Sequence, residues 1–278
     1  MKKKTVSIML AATMALSLFA GCGSSKDTAT EDTSKTESTE TTDESSENAS
    51  AETTDESSRT TFTVGFDAEY PPYGYMDDDG EYTGFDLELA QAVCDKEGWE
   101  LVKKPINWDS KDMELNSGSI DCIWNGFTMN GREDEYTFSV PYVDNSQVIV
   151  VAENSGIEQL SDLAGKTVGV QAASAALDLL QSEDEGGQKA LADTFGSLNE
   201  FADYNTAFTE LQAGALDALA IDVGVAKYQL NSRGEGFKIL DETLNTEQYA
   251  IGFKKGNQEL CDIVNKDLQE LANEGKVA

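Results

Sequence analysis

A stretch of sixteen residues is written twice in this chain, and that repetition constrains the fold more than any other feature. Residues 108–123 (WDSKDMELNSGSIDCI) align without gaps on residues 204–219 (YNTAFTELQAGALDAL). Glu114 and Glu210, Leu115 and Leu211, Gly118 and Gly214, and Asp121 and Asp217 are identical, while the Trp/Tyr, Asp/Asn and Ser/Thr pairs are similar. Each copy reads as a helix closed by glycine and followed by a short apolar strand. Upstream of each lies a second echo, Thr63-Val64-Gly65-Phe66 and Thr167-Val168-Gly169-Val170, β-rich and bounded by polar residues. Two units with the same elements in the same order predict two similar lobes, each built on an open α/β sheet.

The remaining pattern fills in the order. Strand 62–66 leads to the aromatic loop Tyr70-Pro71-Pro72-Tyr73-Gly74-Tyr75. A helix over 86–97 is capped by Asp86 and stopped by Gly98. Strand 99–103, helix 109–116 and strand 120–124 follow. The apolar run Gln147-Val148-Ile149-Val150-Val151 is a natural crossover into the second lobe, which extends to about residue 246. Tyr249-Ala250-Ile251-Gly252-Phe253 crosses back, and helix 257–273 rejoins the first lobe.

Charge narrows the function. The 278 residues include 52 acids, 20 Lys or Arg and no His, a net charge of −32. A phosphate backbone would be repelled, which argues against nucleic acid as a partner, and docking on anionic lipid by charge is disfavoured in the same way. Without His there is no Ser-His-Asp triad, Cys-His pair or His-ligated zinc site. Residues 1–22 carry +3, residues 23–60 carry −8, and the remaining 218 residues carry −27. The acidity therefore belongs to the globular part.

The N-terminus reads as an address. Lys2, Lys3 and Lys4 precede about fifteen mostly apolar residues, too few to span a bilayer as a helix. Phe19-Ala20-Gly21-Cys22 resembles a bacterial lipobox, with Phe19 in place of the usual Leu. This predicts a signal peptide over 1–21 and lipidation of Cys22. Residues 22–60, rich in Ser, Thr, Asp and Glu, cannot bury enough apolar surface to order themselves and form a soft tether. Cys94, Cys122 and Cys261, an odd number, leave at least one free thiol, and the amphipathic helix around Cys94 and the apolar run around Cys122 predict buried thiols.

In open α/β sheets, ligands bind beyond the carboxyl ends of the strands. That rule selects Asp67 and Tyr70 after the first strand, and Asn125, Gly126 and Thr128 after strand 120–124. In the second lobe it selects Gln171 and Ser174, then Asp222 after strand 217–221. Asp67 and Gln171 occupy matching places in the two copies, as do Gly126 and Asp222.

Three passages now carry a family resemblance: Gly84-Phe85-Asp86-Leu87-Glu88-Leu89-Ala90; Thr128 to Arg132 with Phe138-Ser139 and Pro141-Tyr142; and Leu163-Ala164-Gly165-Lys166-Thr167-Val168-Gly169-Val170-Gln171. Together they resemble the bacterial extracellular solute-binding proteins of family 3, receptors of polar amino-acid ABC importers, over residues 62–278. The resemblance implies a two-lobe, periplasmic-binding-protein-like (type II) α/β fold. Each lobe is an open mixed sheet flanked by helices, and two crossover strands join them. Lobe 1 would comprise 61–148 plus 247–278, and lobe 2 149–246. The resemblance gives Arg132 the ligand's α-carboxylate, although Thr128 and Arg132 stand one residue closer than is usual. Ser174 opens a helix toward the same carboxylate, with Ala173 where the family has Gly, and Gly126 and Thr128 supply further donors. Asp222 takes the α-ammonium and Asp67 is a second acidic position. Tyr70 and Trp108 clamp the side chain, and Gln171 faces its end.

The implied function is capture of a free amino acid for an ABC permease by a monomer without cofactor, metal or catalytic residue. It would be lipid-anchored on the outer face of the cytoplasmic membrane. The amide of Gln171, with no extra Lys or Arg beside it, favours a polar, uncharged ligand. A small-acid dehydratase or lyase on the same fold, and a sensor's ligand-binding module, are the alternatives.

Overall fold

The computed structural model describes residues 58–276. The expected signal peptide, Cys22 and the tether as far as residue 57 lie outside the described residues.

Among the described residues, the first strand is β1 (Thr61–Phe66), followed by an antiparallel ribbon of β2 (Glu69–Tyr70), β3 (Gly74–Met76) and β4 (Tyr82–Thr83). Helix α1 (Phe85–Glu97), β5 (Glu100–Pro105), α2 (Lys111–Asn116), β6 (Cys122–Ile123) and β7 (Tyr136–Phe138) follow. The long β8 (Val143–Ala152) then enters the second half. There lie β9 (Thr167–Gln171), α3 (Ala175–Gln181), α4 (Lys189–Ala192), β10 (Ser197–Phe201), α5 (Tyr204–Ala213), β11 (Ala218–Asp222), α6 (Val223–Arg233) and β12 (Phe237–Ile239). Strand β13 (Asn245–Tyr249) leads out to β14 (Gly252–Lys254) and the last helix, α7 (Gln258–Asn273).

Besides the β2-β3-β4 ribbon, these strands form two mixed sheets, giving the two-lobe α/β fold. The first runs β5-β1-β6-β14-β7, and the second β10-β9-β11-β8-β12 with β13 also paired to β8. In the first lobe, Phe62, Val64 and Phe66 point to one face, where α1 and α7 bury Leu87, Val93, Leu260, Val264 and Leu271. The apolar run of β8 divides between two cores: Val148 and Val150 face Tyr204 and Phe208, while Ile149 and Val151 face Leu163 and Leu177. A sheet covered on both faces needs such an unbroken run. Two segments link the sheets. Residues 139–142 lead from β7 to β8, and Ala250 and Ile251 separate β13 from β14.

The repeat has a physical basis in the register. β1 runs parallel to β6 with Val64 opposite Cys122 and Gly65 opposite Ile123; β9 runs parallel to β11 with Val168 opposite Ala218 and Gly169 opposite Leu219. The two identical aspartates do the same work. Asp121 Oδ2 accepts the Thr63 N–H at 2.6 Å, and Asp217 Oδ2 accepts the Thr167 N–H at 2.8 Å. Gly118 and Gly214 take φ of 75° and 76°, the left-handed turn that ends each helix. A Cβ on Gly65 would lie 2.4 Å from Ile120 and one on Gly169 2.5 Å from Leu216, which explains the glycine kept in each first strand.

One local expectation is corrected. Asp86 does not cap α1: the capping position is Gly84, and Asp86 is fully buried, accepting the Gly126 N–H at 2.6 Å and the Tyr142 hydroxyl at 2.9 Å. Its carboxyl ties α1 to the loop after β6, and burial pushes it up to about 7. Within the aromatic loop, β2 and β3 pair, with Tyr70 opposite Gly74. Cys94, Cys122 and Cys261 are all free and buried, the burial of the first two agreeing with their settings in the sequence.

Candidate functional site

The strand-end residues of the two sheets converge. Asp67 follows β1 and Tyr70 lies in β2; Asn125, Gly126 and Thr128 follow β6. Gln171 ends β9, Ser174 caps α3 by accepting the Leu177 N–H at 3.1 Å, and Asp222 ends β11. Trp108 begins a single 3-10 turn, 108–110, before α2. Tyr70, Trp108, Gly126, Thr128 and Arg132 from the first half of the chain line one cavity with Gln171, Ser174, Ala175 and Asp222 from the second. It encloses about 10 Å³ of free space, roughly what one water needs. A solute larger than a water therefore enters only when the two halves part. A wider cavity of about 540 Å³ adjoins it through Trp108 and is walled by Asp67, Glu69, Asp109, Glu114 and Asp203.

Contacts across the cleft hold this closed form. Arg132 Nη2 pairs with Asp178 of α3 at 2.6 Å, Nη1 donates to the Thr128 carbonyl at 3.3 Å, and its guanidinium lies 5.1 Å from the Phe127 ring centre. Gln171 Nε2 donates to Asp67 Oδ2 at 2.7 Å, joining the two positions that the repeat equates, and to the Ala202 carbonyl at 3.1 Å. Trp108 Nε1 donates to the carbonyl of Ala173 at 3.2 Å. Ala173 has a φ of 53°, a left-handed conformation that costs a non-glycine residue roughly 1 kcal/mol.

The electrostatics separate the two ends. Burial pushes Asp67 up to about 6, against the hydrogen bonds of Glu69 and Gln171. Asp222 is also raised to about 6, first by burial and then by the charge of Glu247. Its Oδ1 accepts from Tyr249 Oη at 2.6 Å, Gln147 Nε2 at 2.7 Å and Asn145 Nδ2 at 2.8 Å. At the other end stand two cations, Arg132 and Lys111.

Sequence reasoning missed Lys111. It is 5% exposed, donates to the Ala173 carbonyl at 3.3 Å and lies 5.3 Å from the Trp108 ring centre. Burial, then the charge of Arg132, lowers its pKa. It opens a helix in the repeated segment, and nothing in its spacing told it from a solvated lysine. Asn145, Gln147, Glu247 and Tyr249 were also missed; only the polar Gln147 heading an apolar run was a signal.

Two expected roles change. The Gly126 N–H is engaged by Asp86, so Gly126 contributes space rather than a donor: a Cβ there would lie 3.0 Å from Tyr70 and 3.1 Å from Tyr249. Asn125 is 1% exposed and lies behind the cavity wall near Gly74, with both amide atoms buried and unpartnered.

Two lobes that close over acidic and basic groups at opposite ends of one cleft define a solute receptor. The family agrees: residues 62–278 match the bacterial extracellular solute-binding proteins, family 3, and the chain belongs to that family. The L-cystine-binding protein TcyJ of Escherichia coli (strain K12) is 30% identical over 220 residues, covering 78% of this chain and 79% of TcyJ. The arginine-binding extracellular protein ArtP of Bacillus subtilis (strain 168) is 33% identical over 218 residues, covering 77% and 82% of the two chains. Among solved structures, a histidine-bound ABC uptake transporter substrate-binding protein from Streptococcus pneumoniae superposes with a TM-score of 0.73. It is 34% identical, with 78% of this chain and 88% of that one covered.

Proposed function

We propose that this chain is the substrate-binding component of an ABC importer, capturing a free amino acid between its lobes and presenting it to a membrane permease. The observation that carries this reading is the division of charge along the cleft, with Asp222 at one end and Arg132 beside Ser174 at the other. A zwitterion needs both. Arg132 forms a charge-assisted pair with the α-carboxylate, exchanging its exposed partner Asp178 for the ligand. Ser174 and Thr128 flank that carboxylate, and Asp222 receives the α-ammonium. Tyr70 and Trp108 bracket the side chain. Closure completes contacts from both lobes at once, which shifts the population toward the form a permease can recognise.

The ligand in this reading is polar and uncharged, since both amide hydrogens of Gln171 are engaged and its carbonyl oxygen remains to accept from a side chain. A second reading, a cationic side chain, is favoured by the acidic wall of the adjoining cavity and by buried Asp67, which forms no ion pair among the described residues. The reading extends to a monomer held by lipid on Cys22 at the outer face of the cytoplasmic membrane, without cofactor or catalytic step. Titration calorimetry with the twenty amino acids and cystine tests it. Selective micromolar binding of one class supports it, and no binding below millimolar to any of them overturns it.

A further inference from the structure

The strands that join the lobes bury a second carboxylate beside Asp222. Glu247 lies on β13 and is 4% exposed; Asp222 is 3% exposed. Both draw on one set of donors. Asn145 Nδ2 stands 2.8 Å from Asp222 Oδ1 and 2.8 Å from Glu247 Oε1, and Gln147 Nε2 stands 2.7 and 2.8 Å from the same two oxygens. The Tyr249 hydroxyl completes Asp222, and the Thr128 hydroxyl donates to Glu247 Oε1 at 2.8 Å. Asn245 Nδ2 lies 3.4 Å from Oε2 of Glu247.

Every one of these donors is neutral. Tyr70, Tyr73 and Tyr204 also face Asp222 and bring no positive charge. Arg132 pairs with Asp178 and touches this group only at the backbone carbonyl of Thr128. Among the described residues, neither carboxylate forms an ion pair with Lys or Arg. Acceptors outnumber donors, since the side-chain oxygens of Asn145 and Gln147 are themselves buried without a partner. Two buried acids sharing neutral donors work against the stability of a fold. A hydrophobic or amide residue at position 247 would fill the strand without that burden.

We infer that Glu247 is a positioning residue of the ammonium site: it adds a second negative charge behind Asp222, and the two together match one primary ammonium. This rests on the reading that Asp222 receives the α-ammonium. Asn145 and Gln147 act as spacers that fix both carboxylates. Because Thr128 belongs to one lobe, Asp222 to the other and Glu247 to a joining strand, the charge is fixed where the lobes meet.

Glu247→Gln tests this, because it keeps the side chain's size and the Oε1 acceptor for Thr128, Asn145 and Gln147. The first arm is thermal unfolding without added amino acid. Asp222 is held above its ordinary 3.8 in the folded protein, so its contribution to stability is complete at low pH and is lost as pH rises through about 6. Removing the neighbouring charge relieves that loss. The variant is expected to melt above the wild type at pH 8, with the gain shrinking toward pH 5. The second arm is calorimetry at pH 7.5 with L-glutamine, L-histidine, L-arginine and L-cystine as probes. The affinity of whichever probe binds is expected to fall about tenfold, the loss of one screened charge a few ångströms from an ammonium. The acid limb of the wild-type affinity profile moves to lower pH in the variant. A variant that melts lower at pH 8 or fails to fold makes Glu247 a structural pin and overturns the inference, as does unchanged affinity. If no probe binds the wild type, the amino-acid reading falls separately, and the melting arm still decides whether Glu247 burdens the fold.

Discussion

Replacing Gly224 by alanine probes closure itself. Gly224 is the second residue of α6, in the second lobe, and the hydroxyl of Tyr73, from the first, lies over it. A Cβ at that position would sit 2.3 Å from Tyr73 Oη and 3.0 Å from Cζ, against an ordinary contact distance of 3.4–4 Å. Tyr73 cannot swing aside. It is 7% exposed and hemmed by Tyr249 edge-on at 5.2 Å, Tyr70 at 5.9 Å and Phe85 at 6.5 Å. Relief must come from the lobes parting by about 1 Å, and overpacking of that size costs about 1–3 kcal/mol. The contact crosses the cleft, so the penalty falls on the closed form alone and passes directly into affinity, raising Kd roughly 5- to 150-fold. The protein without amino acid should lose no stability, since alanine in a helix gains up to about 1 kcal/mol over glycine. Calorimetry paired with thermal melts reads both quantities. An unchanged Kd would refute the claim that closure presses Tyr73 onto α6. A melting point lowered in step with the affinity would show that the contact belongs to the open fold as well.

Arg132→Met should reduce affinity about 10- to 150-fold, the value of a charge-assisted hydrogen bond lost from a carboxylate, while hardly altering the melting point. Its present partner Asp178 is 61% exposed, so that pair contributes little to stability; a large fall in melting point would show Arg132 to be structural. The protein should also be more heat-stable at pH 5 than at pH 8. Burial raises Asp86 to about 7 and Asp67 and Asp222 to about 6, so the folded chain binds more protons than the unfolded one and stability falls as pH climbs through that range. For Asp86 alone the cost at pH 8 is on the order of 4 kcal/mol. Asp86→Asn should flatten the slope, and a melting profile that rises toward pH 8 contradicts the assignment.

What the sequence disclosed followed from repetition and periodicity. The doubled helix–strand unit foretold the paired registers of β1 with β6 and β9 with β11, because Asp121 and Asp217 are kept to close the same hydrogen bond twice. The strand-end rule brought Thr128, Gln171, Ser174 and Asp222 to one cavity. It failed where a residue's role depends on partners distant in the chain. Asp86 has the position and chemistry of a helix cap, yet its carboxylate is drawn to the Gly126 N–H forty residues on. Lys111 looks solvated until Trp108 and Ala173 enclose it. Glu247 meets Asn145 across a pairing of β13 with β8 that no local pattern encodes.

The placing of β14 has a consequence for the order of synthesis. Every strand of the second sheet lies between residues 143 and 249, so that lobe is complete in one uninterrupted stretch of chain. The first sheet is not. Residues 252–254 stand between β6 and β7, and α7 seals the core over α1. Until those last residues leave the ribosome, β6 keeps an unpaired edge and the apolar face of α1 lacks its cover. The lobe that begins first therefore finishes last, and an early stop in translation would release one finished lobe joined to one that cannot close its sheet.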